Sequence, residues 1–203
     1  MSEQSTTQLI YCYVVRRIEQ LDKDSPWAKT KLAKLRHAAG KEPGDSPGVW
    51  DVTLGDMPDE LSGRGEYVSY PEHAIHIALT LYALHKQGKT DTMHEKKGLR
   101  LGGGAARLIN DRNKEGIQRR FNAVVTAQNL SELSNYTRGL IQMMRSLDIP
   151  IKLDYGQLAV DLFYYQIPAQ RNKVRLQWGR EFYRCHSEHE NPKENNNNEQ
   201  NVY

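Results

Sequence analysis

Lysines and arginines at helical spacing are the residues of this chain whose arrangement best suits a chemical task. In a helix expected over about residues 171–185, Val174, Trp178 and Phe182 recur every fourth residue and should pack inward. The opposite side of that helix carries a basic row made of Lys173, Arg180 and Arg184. Such a row can follow a phosphate backbone, because the cations displace condensed counterions on contact. The pattern indicates polyanion binding, with a merely solvated surface as the alternative.

Histidines and glycines offer weaker candidates for chemistry. His73 and His76 would share one side of a helix, but no second ligand pair stands at zinc-site spacing and no HExxH motif occurs. The run Gly102–Gly104 lacks the Gly-Lys-Ser/Thr of a phosphate loop, so close helix packing or mobility is the better interpretation. The acids form no evident catalytic pair. We therefore predict no enzyme, no cofactor and no metal; a hydrolase that uses the histidines is an alternative that metal analysis would test.

A second basic surface is expected around Phe121. On an ideal helix, Arg119 lies opposite the apolar face that contains Phe121, and Arg120 lies at its flank. Arg119 should therefore project into solvent or onto a phosphate. Arg120 should pair with an acid across the bundle, for which Asp154 and Asp161 are equally good candidates.

Helical periodicity dominates the elements that must position these residues. The stretch His73–His85 is apolar on nearly every face, which predicts a helix buried within a bundle. His85, at its end, should bond to a neighbouring element. The other expected helices are 6–21, 26–39 with Ser25 as cap, 131–147 with Ser131 as cap, one capped by Asp154 and ended by Pro168, and 171–185.

Between the helices, residues 40–70 are rich in Gly, Pro and Asp and predict a long connection with a short helix near 49–54. Trp50 is expected in the core rather than as a base-stacking platform, because its neighbours are acidic. A polar hinge is expected at 88–100. The Asn-rich segment 188–203 cannot build a core and predicts a disordered tail.

Composition limits the class of protein. The chain has 203 residues, enough to bury a core, and no apolar run long enough for a membrane span. Residues 101–187 hold 13 basic and 7 acidic residues, whereas residues 1–100 hold 14 of each. Cys12 should pack against apolar neighbours and Cys185 should face solvent; two cysteines without a disulfide framework favour the cytoplasm.

Several ordered motifs resemble one family. They are Lys31–Arg36 (KLAKLR), Leu81–His85 (LYALH), Met93-His94, Leu101-Gly102, Ala106–Leu108 (ARL), Arg119–Phe121 (RRF), Leu153–Tyr155 (LDY), Asp161-Leu162 and Trp178–Tyr183 (WGREFY). Together they resemble the CasB family, the small subunit of Cascade, the type I-E CRISPR surveillance complex, over roughly residues 9–185. The resemblance implies an all-helical, non-catalytic protein that sits as paired copies along guide RNA and target DNA and helps to hold the opened DNA strands.

From residues and resemblance together, we expect an all-α fold of two packed bundles without a sheet, at 6–98 and 99–187, the second one basic. The expected function is nucleic-acid binding in a CRISPR Cascade complex, with guide RNA, target DNA, other Cascade subunits and a second copy as partners and no membrane contact. A helical protein-interaction scaffold whose basic faces bind acidic partner surfaces is the alternative. The candidate nucleic-acid-binding residues are Lys29, Lys31, Lys34, Arg36, Arg107, Arg119, Arg138, Arg145, Lys173, Arg180 and Arg184. For those of the helix 26–39, a solvated surface is the alternative that the residues alone favour.

Overall fold

The structure, a computed structural model, describes the backbone of residues 5–190 and the side chains of residues 5–186. Its α-helices are α1 (Thr6–Leu21), α2 (Pro26–Ala38), α3 (Trp50–Thr53), α4 (Tyr70–Lys86), α5 (Leu101–Ala106), α6 (Lys114–Thr126), α7 (Leu130–Arg145), α8 (Tyr155–Tyr165) and α9 (Pro168–Glu190). Within the described residues one strand, β1 (His94–Leu99), occupies the expected hinge, and it pairs there only with Leu153. The prediction of an all-α fold is confirmed, and no sheet forms within residues 5–190.

Helix α4 is the centre of the core, as its uniform apolarity predicts. Every residue from Ala74 to Lys86 is buried. A capping box fixes the start of the helix, because the Ser69 hydroxyl accepts from the Glu72 N–H while the Glu72 carboxylate accepts from the Ser69 N–H. Helices α1, α2, α7 and α8 pack around α4, so apolar side chains from both halves of the chain form one continuous core. The division into bundles at 6–98 and 99–187 stays a prediction.

The glycine run serves close packing, one of the two uses expected for it. A Cβ placed on Gly102 would lie 2.0 Å from the carbonyl oxygen of Trp178, so the backbones of α5 and α9 are in contact there. A Cβ on Gly104 would lie 2.4 Å from Leu153 Cδ2. Only glycine allows this approach, and no phosphate-loop geometry is needed to explain the run.

Some helix ends differ from the expected ones. Helix α7 is capped by Asn129, whose side chain accepts from the Glu132 N–H, and not by Ser131. Asp154 caps α8 as expected, because its carboxylate accepts from the Gln157 N–H at 2.9 Å. Pro168 begins α9, which therefore starts earlier than residue 171 and continues to Glu190. The rest of the tail predicted to be disordered, 191–203, lies outside the described residues.

Three side chains lie in environments opposite to those expected. Trp50 is 41% exposed and is not a core residue, although its indole Nε1 donates to the Pro43 carbonyl at 2.8 Å. Cys12 is exposed rather than packed, and Cys185 is buried rather than facing solvent. Cys185 follows Phe182 by three residues, so it continues the inward row of α9.

Candidate nucleic-acid interface

The ends of three helices bring cations together at one cleft. Arg36 lies in the last turn of α2, Arg145 in the last turn of α7, and Lys89 just after α4. Cations at these positions are locally favourable, because the C-terminal end of a helix carries a partial negative charge. The cleft has a volume of about 570 Å³, and Arg145 reaches its edge by donating to the Gln87 side chain at 2.5 Å. We call this site the cation cleft; its basic lining residues are Lys23, Lys29, Arg36, Lys86 and Lys89, and Arg145 lies at its edge.

Acidic residues balance only part of the charge in the cation cleft. Asp24 pairs with Lys29 at 2.6 Å, and Asp22 pairs with Lys86 at 3.3 Å. Within residues 5–186, no carboxylate lies at ion-pair distance from Arg36 or Arg145. Arg36 and the nearby Arg145 therefore have no counter-ion among the described residues.

The pKa values around the cation cleft reflect this excess of positive charge. Burial and then the nearby Arg145 guanidinium lower the pKa of Arg36. Burial, Lys89 and Arg145 lower the pKa of His85 to about 4, so this imidazole stays neutral at physiological pH. Its Nδ1 lies 3.0 Å from the Tyr155 hydroxyl, which confirms the expected bond to a neighbouring element. An anion placed in the cleft would relieve the repulsion between the cations.

A second basic surface extends over α6 and α9. The rings of Phe121 and Phe182 stack with centroids 4.2 Å apart, and Gln118 donates to the Tyr183 hydroxyl, so these helices lie side by side. The inward row of α9 is buried as predicted, and the opposite row is exposed. Arg119 is also exposed. We call this surface the α6–α9 face; its candidate residues are Arg119, Lys173, Arg180 and Arg184.

The other candidate residues are dispersed. Lys31 pairs with Asp51 at 2.7 Å and keeps only 15% of its side chain exposed, while Lys34 is exposed beside Gly48. Arg138 donates to the Ala39 carbonyl at 3.3 Å. Arg107 is exposed beside a cavity of about 770 Å³ that is also lined by residues 147–152. Thus Lys29 and Arg36 line the cation cleft and Arg145 reaches its edge, whereas Arg119 on α6 and Lys173, Arg180 and Arg184 on α9 are exposed on two neighbouring helices.

The pairing expected for Arg120 is wrong. Arg120 is exposed, and the two acids proposed for it have other partners. Asp154 accepts from the Tyr11 hydroxyl at 3.1 Å and from the Lys97 N–H at 2.9 Å. These bonds hold the start of α8 against α1 and β1. Asp154 therefore bonds to neighbouring segments and not to Arg120.

Asp161 belongs to a buried polar network that sequence reasoning missed. Its carboxylate accepts from Trp178 Nε1 at 2.8 Å and from Gln157 Nε2 at 2.9 Å, and lies 3.5 Å from Arg100. Arg100 also reaches Glu181 at 3.6 Å. Burial raises the pKa of Asp161 to about 6, although Arg100 and the two hydrogen bonds act in the opposite direction. The network ties α5, α8 and α9 together.

Lys23, Lys86 and Lys89 were also missed as members of the cation cleft. A partial signal for Lys89 existed, because Gly88, with its positive φ of 76°, follows the end of α4 and places the next residue beside the helix end. Lys89 Nζ donates to the Leu147 carbonyl at 2.7 Å, which draws the α7 end toward α4. Among the described side chains no His, Cys, Asp and Glu group could hold a metal ion, and no described helix is long and apolar enough to cross a membrane.

Comparison with known proteins decides the family. The family model described as CRISPR-associated protein Cse2 matches residues 31–183, most of the chain. The chain belongs to the CRISPR-associated Cse2 family. This membership confirms the resemblance drawn from the ordered motifs, since the solved relatives are CasB proteins. No curated protein matches the chain.

Three solved structures show the same fold. CasB from Thermobifida fusca is 31% identical, with 86% of this chain and 98% of that chain covered and a TM-score of 0.72. CasB from Thermus thermophilus is 17% identical, covers 89% of this chain and 99% of its own, and has a TM-score of 0.64. M. ruber CasB is 22% identical, with 94% and 99% covered and a TM-score of 0.62.

Proposed function

We propose that this Cse2-family chain is a non-catalytic, nucleic-acid-binding small subunit of a Cascade-like CRISPR complex that acts in antiviral defence. It holds the sugar-phosphate backbones of guide RNA and target DNA and stabilises the opened DNA strands. The observation that carries the proposal is the cation cleft, which Arg36 lines and whose edge Arg145 reaches, with no carboxylate of residues 5–186 at ion-pair distance from either. Family membership supplies the CRISPR context.

A phosphate group suits the cation cleft for a physical reason. A guanidinium group donates two parallel hydrogen bonds to phosphate oxygens, and one phosphate can bridge two guanidinium groups that otherwise repel each other. Contacts of this kind position a backbone without reading bases. Sequence recognition would then come from guide pairing, and the protein would hold the paired and displaced strands.

The proposed partners follow the family. They are guide RNA, target DNA, other Cascade subunits and a second copy of this chain. The proposed location is the cytoplasm, a reducing compartment in which the two cysteines stay free. The alternative is a helical scaffold whose cation cleft and α6–α9 face bind acidic protein surfaces. The two functions differ in one measurable property, since only the first requires salt-dependent binding to arbitrary nucleic acid.

Fluorescence anisotropy with a labelled single-stranded RNA of arbitrary sequence tests the proposal. The double variant Arg36→Ala/Arg145→Ala should flatten the slope of log K against log salt by between about one and two units, because two phosphate contacts are lost. Lys31→Ala is the matched control, since Lys31 is already neutralised by Asp51, and it should keep the wild-type slope. An unchanged slope in the double variant would exclude the cation cleft. Absence of any salt-dependent binding by the wild type would favour the scaffold.

A further inference from the structure

The connection between α2 and α4 carries a surface of opposite character to the cation cleft. We propose that this connection forms a docking groove for an arginine side chain presented by a protein partner. The groove is lined by Pro43, Trp50, Leu54, Glu66, Tyr67 and Glu72, and we call it the aromatic groove. This inference goes beyond the proposed function, because it assigns a protein contact to a surface that nucleic acid would not approach.

The walls of the aromatic groove are fixed by hydrogen bonds. Trp50 Nε1 donates to the Pro43 carbonyl at 2.8 Å, which holds the indole in place while the residue stays partly exposed. The Glu72 carboxylate accepts from the N–H groups of Gly63 at 2.9 Å and Ser69 at 2.6 Å. A Cβ on Gly63 would lie 2.1 Å from the Tyr67 carbonyl oxygen. The backbones of Gly63 and Tyr67 are therefore in contact, and the segment 63–67 forms a tight loop.

Large side chains in the aromatic groove are exposed although the core lies directly beneath. Tyr67 is 85% exposed, and Trp50 and Val68 are each exposed by about 40%, whereas Val52 and Leu61 are fully buried. The groove holds about 170 Å³, the volume of five or six waters at roughly 30 Å³ each. A space of that size admits one long side chain and excludes a helix.

The negative charge around the aromatic groove indicates which kind of side chain it binds. Residues 41–72 contain 8 acidic and 2 basic residues, a net charge of −6. Three of the acids, Glu42, Asp51 and Asp56, pair with cationic or titratable side chains of this chain. Within residues 5–186, no cation lies at ion-pair distance from the exposed acids Asp45, Asp59, Glu60 and Glu66. Such a surface repels phosphate and attracts a cation.

An arginine matches both features of the aromatic groove. Its guanidinium plane stacks on the faces of Trp and Tyr, and its N–H groups donate to carboxylates at the edge of the stack. Trp50 and Tyr67 supply the faces, and Glu66 and Glu72 supply the carboxylates. A lysine keeps the charge but loses the planar stack, and an uncharged isostere keeps the shape but loses the charge. The affinity of the groove should therefore be highest for arginine, lower for lysine and lowest for the uncharged isostere.

Titration of the full chain, followed by NMR of the backbone amides and the Trp50 indole N–H, tests the proposal. The probes are three short acetylated peptides that carry arginine, lysine or citrulline between two leucines. The arginine peptide should shift the Trp50 indole and the Tyr67 amide saturably, the lysine peptide more weakly, and the citrulline peptide not at all. Added salt should weaken the arginine response, because the contact is partly electrostatic.

Variants locate the site. Tyr67→Ala and Glu66→Gln should each weaken arginine-peptide binding by about threefold, the size expected for one exposed stacking or charge contact. Tyr136→Ala is the control, because Tyr136 is an exposed tyrosine on α7, outside the groove, and this variant should bind as the wild type does. Equal binding of the citrulline peptide would overturn the proposal, as would wild-type affinity in both groove variants. Saturable shifts of Trp50 by a uridine dinucleotide would also overturn it, by showing a base-stacking platform.

Discussion

The side of α9 that faces the core meets α5 at Gly102, and it places Trp178 within hydrogen-bonding distance of Asp161. The side that faces solvent carries Lys173 and Arg180, both exposed. One helix thus has an inner side in close backbone and hydrogen-bond contact with α5 and α8, and an outer side of exposed cations.

If the outer side binds nucleic acid as proposed, this difference separates the residues that stabilise the fold from those that bind. The charge that contacts the inner side, that of Asp161 on α8, is enclosed, and burial raises the pKa of this carboxyl. Charge on the outer side stays hydrated, where it costs little to keep and is available to a phosphate backbone. Changes on the inner side should therefore alter the free energy of unfolding, and changes on the outer side should alter only binding.

The largest effect is expected from Gly102→Ala. The new methyl group would lie 2.0 Å from the Trp178 carbonyl oxygen, and because that atom is backbone, α5 and α9 must move apart. Overpacking of this kind should lower the free energy of unfolding by about 3 kcal/mol. Urea denaturation followed by circular dichroism measures it.

Gly179→Ala is the matched control for Gly102→Ala. Gly179 lies in the interior of α9, and a Cβ there would meet no atom within 4 Å. Because alanine favours the helix over glycine, this variant should be more stable than the wild type by about 0.5–1 kcal/mol. Equal stability of the two variants would show that the α5–α9 contact yields easily, and the contrast between the two sides of α9 would then fail.

The next effect concerns pH and Asp161. An ordinary Asp has a pKa of about 3.9, whereas burial raises that of Asp161 to about 6 in the folded protein. Below pH 4 both states are protonated. Between about pH 4 and pH 6 only the folded state holds the proton, so the free energy of unfolding should fall by roughly 3 kcal/mol as pH rises through this window.

Asp161→Asn isolates this titration, because the amide oxygen can still accept from Trp178 Nε1. The difference in unfolding free energy between variant and wild type should therefore change by that amount between pH 4 and pH 7, with the variant relatively more stable at the higher pH. Thermal denaturation across that range measures it. A pH-independent difference would mean that the Asp161 carboxyl titrates near its ordinary pKa.

The local sequence pattern was sufficient to predict much of the fold and one basic surface. The spacing of apolar residues within one helix is enough to predict the burial of α4. The same kind of spacing predicts the buried and exposed rows of α9. The burial of Cys185 could have been predicted from the same spacing. The α6–α9 face was predictable for this reason, since its residues are already opposite an apolar row.

Features that depend on contacts between distant segments could not be predicted. The cation cleft needs the ends of α2, α4 and α7 in one place, and no residue near Arg36 in sequence points to Arg145. Strand β1, with the sequence HEKKGL, has little β propensity and forms because Leu153 pairs with it. The partners of Asp161 likewise follow from packing, which is why Arg120 was wrongly assigned to it or to Asp154.

The smallest effect on stability is expected on the outer side of α9. The triple variant Lys173→Ala/Arg180→Ala/Arg184→Ala leaves Val174, Trp178 and Phe182 in place, so the melting temperature should not fall. Its binding to a labelled single-stranded RNA should lose up to about three units of salt slope, roughly one for each phosphate contact. Arg120→Ala is the control, since Arg120 is exposed on α6 at the flank of the α6–α9 face and not opposite its apolar row. If Arg120→Ala flattens the slope by a full unit, binding is spread over the whole basic half. If the triple variant unfolds early, the outer row contributes to the fold, and the two sides of α9 are not separate in function.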